Sequence, residues 1–148
     1  YWQRPDATEE CFIDGALRTG DVGYFDADGY LFLVDRIKDM LLCGGYNVYP
    51  RVIEEALYEH PAVAEAVVIG LPDRYRGQAP KAFVTLRPGH AATVEELCEF
   101  LRGRISKIEM PREIEIRESL PKTLIGKLSK KELVAEERAK AEQAGAAA

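Results

Sequence analysis

Pro50-Arg51-Val52-Ile53-Glu54-Glu55-Ala56-Leu57, followed closely by Val63-Ala64-Glu65-Ala66-Val67-Val68-Ile69-Gly70, decides the fold. In the first run Val52, Ile53, Ala56 and Leu57 recur at helical spacing. Pro50 suits the opening turn, where its missing N–H has no intrahelical partner to lose. His60-Pro61 stops that helix near Glu59. The second run reads as a strand with the apolar centre Ala66-Val67-Val68-Ile69. Outward from this pair, Leu71 to Pro80 is a mostly polar loop. Lys81-Ala82-Phe83-Val84-Thr85-Leu86 is a second strand, closed by Arg87-Pro88-Gly89.

Thr93-Val94-Glu95-Glu96 is a capping box that opens another helix, with Val94, Leu97, Cys98, Leu101 and Ile105 as its apolar stripe. Pro111 precedes a third strand, Glu113-Ile114-Glu115-Ile116-Arg117. Ser129 caps a last helix through Leu133 and Val134. Upstream, Met40-Leu41-Leu42-Cys43 and Asn47-Val48-Tyr49 flank Gly44-Gly45 as a small hairpin. Residues 1 to 35 lack helical periodicity. There, turn chemistry at Asp14-Gly15-Ala16-Leu17 and Asp26-Ala27-Asp28-Gly29 surrounds two strands, Val22 to Phe25 and Tyr30 to Val34. A lone hairpin is marginal in water and needs a sheet to join.

Strands alternating with helices predict an α+β fold: a small domain with a three-stranded sheet covered by helices, preceded by a β-hairpin segment. The expected divisions are 1–36 as the tail of a large N-terminal domain, 37–134 as the α+β domain, and 135–148 as an Ala/Glu/Lys-rich tail. That tail has no apolar stripe and is expected to fray.

The 148 residues allow one modest core, and 47% hydrophobic with 30% charged residues is ordinary for a globular chain. A net charge of −5 argues against a nucleic-acid binder but permits a local phosphate site. Three cysteines without CxxC or Cys/His spacing argue against a disulfide framework or a zinc site, and fit a reducing cytoplasm. No apolar run approaches transmembrane length. The chain opens on Tyr1-Trp2-Gln3-Arg4-Pro5 without Met and reads as a piece of a longer protein.

Four motifs occur in order: Thr19-Gly20-Asp21, Asp35-Arg36-Ile37-Lys38-Asp39, Gly44-Gly45-Tyr46-Asn47-Val48-Tyr49-Pro50 and Pro121-Lys122-Thr123-Leu124-Ile125-Gly126-Lys127. Together they resemble the C-terminal part of adenylate-forming enzymes: acyl-CoA synthetases, peptide-synthetase adenylation domains and luciferases. The resemblance covers Tyr1 to Leu133, and Leu128-Ser129-Lys130-Lys131-Glu132-Leu133 is most like medium- or long-chain fatty acyl-CoA synthetases.

The resemblance implies that Asp21 and Arg36 bind the ribose of ATP and of the acyl-adenylate. It implies that Lys38 is the hinge of a mobile domain, and that Gly44, Gly45 and Tyr46 line the tunnel for the CoA thiol arm. Lys127 would be the adenylation lysine, supplying charge where the α-phosphate and pyrophosphate develop it. The residues alone allow blander readings. Asp21 could be a turn former, Arg36 a surface ion pair, Gly44-Gly45 a plain hairpin turn, and Lys127 one of four lysines between 122 and 131. Arg74 and Arg76 could meet CoA phosphates or belong to a surface loop. Glu54, Glu55, Glu95 and Glu96 read as solvated helix faces, and His60 and His90 as loop residues without catalytic roles.

Relatives often carry a Tyr-Lys pair before the proline matching Pro111. Ile108-Glu109 stands there in this chain, so that lysine's contacts do not carry over. The whole protein is expected to be an AMP-forming ligase taking a carboxylic acid, ATP and CoA. Mg²⁺ ligands and the acyl pocket would lie in its own upstream domain, leaving this piece inactive alone. The alternatives are an aryl-CoA ligase, a peptide-synthetase adenylation domain, or a noncatalytic α+β interaction module.

Overall fold

A computed structural model describes residues 1–146. It divides into two compact units, Tyr1–Lys38 and Asp39–Ala148.

The first unit begins with a short helix, α1 (Pro5–Glu10), where the sequence predicted none. Its six residues are too few to display a period. It is set instead by Pro5 in the first turn, by Asp6 near the helix's positive end, and by the Thr8 hydroxyl, which donates to the Arg4 carbonyl. Two hairpins follow. β1 (Phe12–Ile13) and β2 (Ala16–Leu17) turn through Asp14 and Gly15, both at positive φ (51° and 78°), as a two-residue primed turn requires. β3 (Asp21–Phe25) and β4 (Leu31–Arg36) pair antiparallel, and the Asp26 carboxylate closes their loop by accepting the Asp28 and Tyr30 N–H groups. Tyr24 and Phe32 stack across the pair with centroids 5.3 Å apart. No described residue of this unit is buried.

The second unit holds a five-stranded sheet: β5 (Leu41–Cys43), β6 (Tyr46–Val48), β7 (Val63–Asp73), β8 (Gly77–Leu86) and β9 (Glu113–Arg117). β8 is central. β7 lies antiparallel along one edge. β9 runs parallel along Lys81–Thr85 on the other, and β5 joins at Cys43 opposite Gly77. The three expected strands are β7, β8 and β9. The other two are the Gly44-Gly45 hairpin, which hooks onto the sheet instead of standing apart. The expected loop from Leu71 to Pro80 is also mostly strand, paired from Gly70–Pro80 to Asp73–Gly77. Pro72 and Pro80 hide the strand signal there, and the pairing with the neighbouring strand overrides it.

Helices cover both faces. Ala66, Val68, Ala82, Val84 and Ile114 pack with Ile53 and Leu57 of α2 (Pro50–Tyr58) and with Leu97 and Leu101 of α3 (Val94–Arg102). The alternate residues Val67, Ile69 and Phe83 pack on the opposite side with Leu120 and with Leu133 of α4 (Lys130–Ala146). The strand period of two thus feeds two cores from one sheet. The capping box of α3 forms as predicted: Thr93 Oγ1 accepts the Glu96 N–H, and the Glu96 carboxylate accepts the Thr93 N–H.

α4 extends through the expected tail as far as Ala146, the last described residue. It continues past Leu133, and Glu137, one turn on, is buried with its carboxylate 3.1 Å from Lys81 Nζ. Lys81 is only 4% exposed in its side chain and also meets Glu113 and Glu115 of β9, each at 2.8 Å. Burial disfavours the Lys81 ammonium, but hydrogen bonds to the three carboxylates outweigh it and hold its pKa above the ordinary lysine value. Burial likewise opposes the Glu115 carboxylate, yet Lys81 and Arg117 bring its pKa down to about 2. Beyond Leu133 the contact that holds this helix is therefore ionic and invisible to a search for apolar periodicity.

Candidate functional site

Asp21 and Arg36 are directly opposite in the β3–β4 register, with Arg36 Nε 3.1 Å from Asp21 Oδ1. Gly20, at φ 76°, turns the chain into β3, and its carbonyl accepts the Ile37 N–H at 2.9 Å. Thr19 Oγ1 accepts the Asp21 N–H at 3.1 Å. A cleft of about 470 Å³ opens here, lined by Glu10, Cys11, Arg18, Thr19, Gly20 and Asp21. A carboxylate with spare acceptor positions beside a guanidinium suits a pair of vicinal hydroxyls. Lys38, exposed, is the middle residue of a one-turn 3₁₀ helix (Ile37–Asp39) and the last residue of the first unit.

Gly44 and Gly45 form the two-residue turn between β5 and β6, at φ 59° and 85°. Two consecutive left-handed residues are the condition that glycine meets without strain. The Gly44 N–H donates to the Arg76 carbonyl at 2.7 Å, and the Leu42 N–H to Gln78 Oε1 at 2.8 Å, so the turn adjoins the β7–β8 turn. Tyr46 is exposed and Val48 buried. Burial pushes the Cys43 thiol pKa up, so this cysteine sits as an inert core residue beside the loop.

The Lys127 segment is a miniature hairpin. Lys122 bridges Leu128, the Ser129 N–H donates to the Pro121 carbonyl at 2.8 Å, and the Thr123 N–H to the Lys127 carbonyl at 2.7 Å. The Gly126 N–H closes the tip onto the Thr123 carbonyl at 2.8 Å, and Gly126 takes φ 79°. Leu124 and Ile125 at the tip are fully or largely exposed. The structure ties two of the four lysines to carboxylates, Lys122 to Glu65 and Lys130 to Glu54, and leaves Lys127, on the loop, and Lys131 without an ion pair among the described residues.

Lys122 meets Glu65 near the start of β7, opposite Thr85, while Gly44 meets the chain at Arg76, beside the Asp73–Gly77 pair. The two candidate loops thus sit at opposite ends of the β7–β8 hairpin, about 25 Å apart by strand rise.

Several residues of this region carry no sequence signal. Glu54, expected on a solvated face, is mostly buried between α2 and β7, where it accepts the Val68 N–H at 2.8 Å. The Asp73 carboxylate accepts the Tyr75 and Arg76 N–H groups, both at 2.9 Å, and pairs with Arg112. Among the described residues no cluster of three or more His, Cys, Asp or Glu side chains is placed to hold a metal ion. No described helix is long and apolar enough to cross a membrane.

The sequence model of the AMP-binding enzyme C-terminal domain matches residues 52–127, about half of the chain. The chain belongs to that family, the C-terminal domain of adenylate-forming enzymes. Over 137 residues it is 49% identical to a long-chain-fatty-acid–CoA ligase of Bacillus subtilis strain 168, an alignment covering 93% of this chain and 24% of the ligase. The chain thus spans about a quarter of the length of the curated relatives it matches. Among solved structures it resembles the amide bond synthetase McbA from Marinactinospora thermotolerans, with TM-score 0.85 and 40% identity over 91% of this chain and 28% of that one. It also resembles ATP-bound MatB from Rhodopseudomonas palustris, with TM-score 0.81 and 34% identity over 90% and 27% of the two chains.

Proposed function

We propose that this chain is the C-terminal portion of an ATP-dependent fatty acyl-CoA ligase, which converts a medium- or long-chain carboxylate, ATP and CoA to acyl-CoA, AMP and pyrophosphate through acyl-AMP. In the first half-reaction the carboxylate attacks the α-phosphorus and pyrophosphate leaves. Lys127 places its ammonium where negative charge grows on the α-phosphate and leaving group. Asp21 accepts hydrogen bonds from the ribose hydroxyls and Arg36 donates to them. In the second half-reaction the CoA thiol attacks the acyl carbonyl and AMP leaves. Gly44 and Gly45 leave room for the thiol arm, with Tyr46 beside it. Mg²⁺ ligands and the acyl pocket belong to the upstream domain, against which residues 37–134 turn about Lys38.

The observation that carries this reading is the separation of the Lys127 loop and the Gly44-Gly45 turn at opposite ends of one hairpin. A rigid body built so cannot offer both loops to one site at once, and two successive half-reactions use them in turn. The likeness to an amide bond synthetase favours a second reading, in which an amine replaces the CoA thiol as acceptor. Supplying acyl-AMP with CoA or with an amine tells the two apart.

The test is Lys127→Ala in the full-length enzyme. Acyl-AMP formation is expected to fall by on the order of 10²–10³, while thioester formation from synthetic acyl-AMP and CoA proceeds. Equal loss in both half-reactions would overturn the assignment.

A further inference from the structure

The Lys127 hairpin is fastened to the body at two points. Ahead of the tip, Lys122 Nζ lies 2.6 Å from Glu65 Oε1 on β7. After it, Lys130 Nζ lies 3.0 Å from Glu54 Oε1 on α2, the same oxygen that accepts the Val68 N–H of β7. Alternation along the two short arms sets the rest. Lys122 and Leu128 face each other and share a side turned to the body, where Leu128 packs on the second core. Thr123 and Lys127 are the next pair and occupy the opposite side, and Lys127 is exposed there.

The first of these fastenings is poorly placed to serve stability. Lys122 is 46% exposed and Glu65 29%, and such pairs contribute little to folding. Both fastenings are well placed to fix direction, because the tip has no packing of its own: Leu124 and Ile125 stand in solvent. They also set the local charge. With Lys122 and Lys130 each neutralised by a carboxylate, Lys127 is the loop cation left to meet a phosphate.

We propose that Lys122, held by Glu65, is a positioning residue for Lys127 in the adenylation step, with Lys130 and Glu54 as the second fastening. This rests on the reading of Lys127 given above. Loss of the Lys122–Glu65 pair leaves the fold intact and lets the hairpin wander, and a misplacement of about 1 Å in a reacting arrangement costs up to about 100-fold in rate.

The experiment uses the full-length ligase and measures each half-reaction separately for Lys122→Met, Lys122→Arg, Glu65→Gln and the charge exchange Lys122→Glu with Glu65→Lys. The expected result for Lys122→Met and Glu65→Gln is adenylation slowed by on the order of 10–100-fold. KM for ATP, thioester formation from acyl-AMP and the melting temperature should stay unchanged. Lys122→Arg retains the rate and the charge exchange recovers part of it. Wild-type adenylation in Lys122→Met overturns the proposal, as does an equal loss in both half-reactions with a lowered melting temperature. If Lys127→Ala itself leaves adenylation intact, the reading of Lys127 falls and takes this one with it. If Lys127→Ala disables adenylation while Lys122→Met does not, only the positioning role falls.

Discussion

Asp21 and Arg36 face each other across β3 and β4, with the guanidinium Nε 3.1 Å from the carboxylate. Fifteen residues apart in sequence, the two candidate ribose ligands are neighbours because the hairpin register makes them so. The pair lies at the strand ends, beside the turn at Gly20, and not in the apolar middle where Tyr24 stacks on Phe32. Asp21→Ala in the full-length enzyme is therefore expected to weaken ATP and acyl-AMP binding by about 1.5–3 kcal/mol, the range for hydrogen bonds to a charged group. Folding should be little affected, because an exposed pair adds little to stability. Calorimetric titration with ATP and with acyl-AMP checks this; unchanged affinity for both would remove Asp21 from the site.

Lys81 is a different kind of charge, buried among Glu113, Glu115 and Glu137, with its ammonium 5.0 Å from the Phe83 ring centroid. Lys81→Met leaves three carboxylates facing one another, and removing one partner of a buried pair costs about 3–5 kcal/mol. The pH dependence follows from Glu115, whose folded pKa of about 2 lies below its ordinary 4.5. A group with a depressed folded pKa contributes stability that is present above the unfolded value and is lost as pH falls through the folded one. Urea midpoints should thus drop as pH is lowered from about 4.5 toward 2, and Glu115→Gln should flatten that slope. A midpoint as steep in Glu115→Gln as in the parent chain would show that other groups govern acid unfolding.

What was legible in the sequence was local. The Thr93–Glu96 capping box, the Pro50 helix start and the Gly44-Gly45 turn each lie within a few residues, and each formed where predicted. What was not legible joins distant elements through charge. Glu137 sits in an Ala/Glu/Lys run with no apolar period, and its burial goes with its pairing to Lys81, 56 residues away, which no local pattern announces. Glu54 looks like any exposed helix glutamate until Val68 and Lys130 are brought to it. Among four nearby lysines the choice of Lys127 came from resemblance. The structure sets two of the four aside, because Lys122 and Lys130 are tied to carboxylates, and of the remaining two only Lys127 is on the loop, Lys131 being on α4.

Lys38 ends the first unit, and the 3₁₀ turn around it is tied back by the Ile37 N–H to the Gly20 carbonyl. If residues 37–134 swing about this position between half-reactions, the backbone dihedrals of Lys38 must change while both units stay folded. Proline fixes φ near −65° and restricts the residue before it, so Lys38→Pro should arrest the swing. The side chain is exposed, and no described contact of either core is removed by the change. We expect the mutant ligase to melt as the parent does and to form acyl-AMP, since that step needs no swing once ATP is bound. Thioester formation from acyl-AMP and CoA should be lost. Measuring the two half-reactions separately decides the matter, because thioester formation at the parent rate alongside normal adenylation means the chain pivots elsewhere.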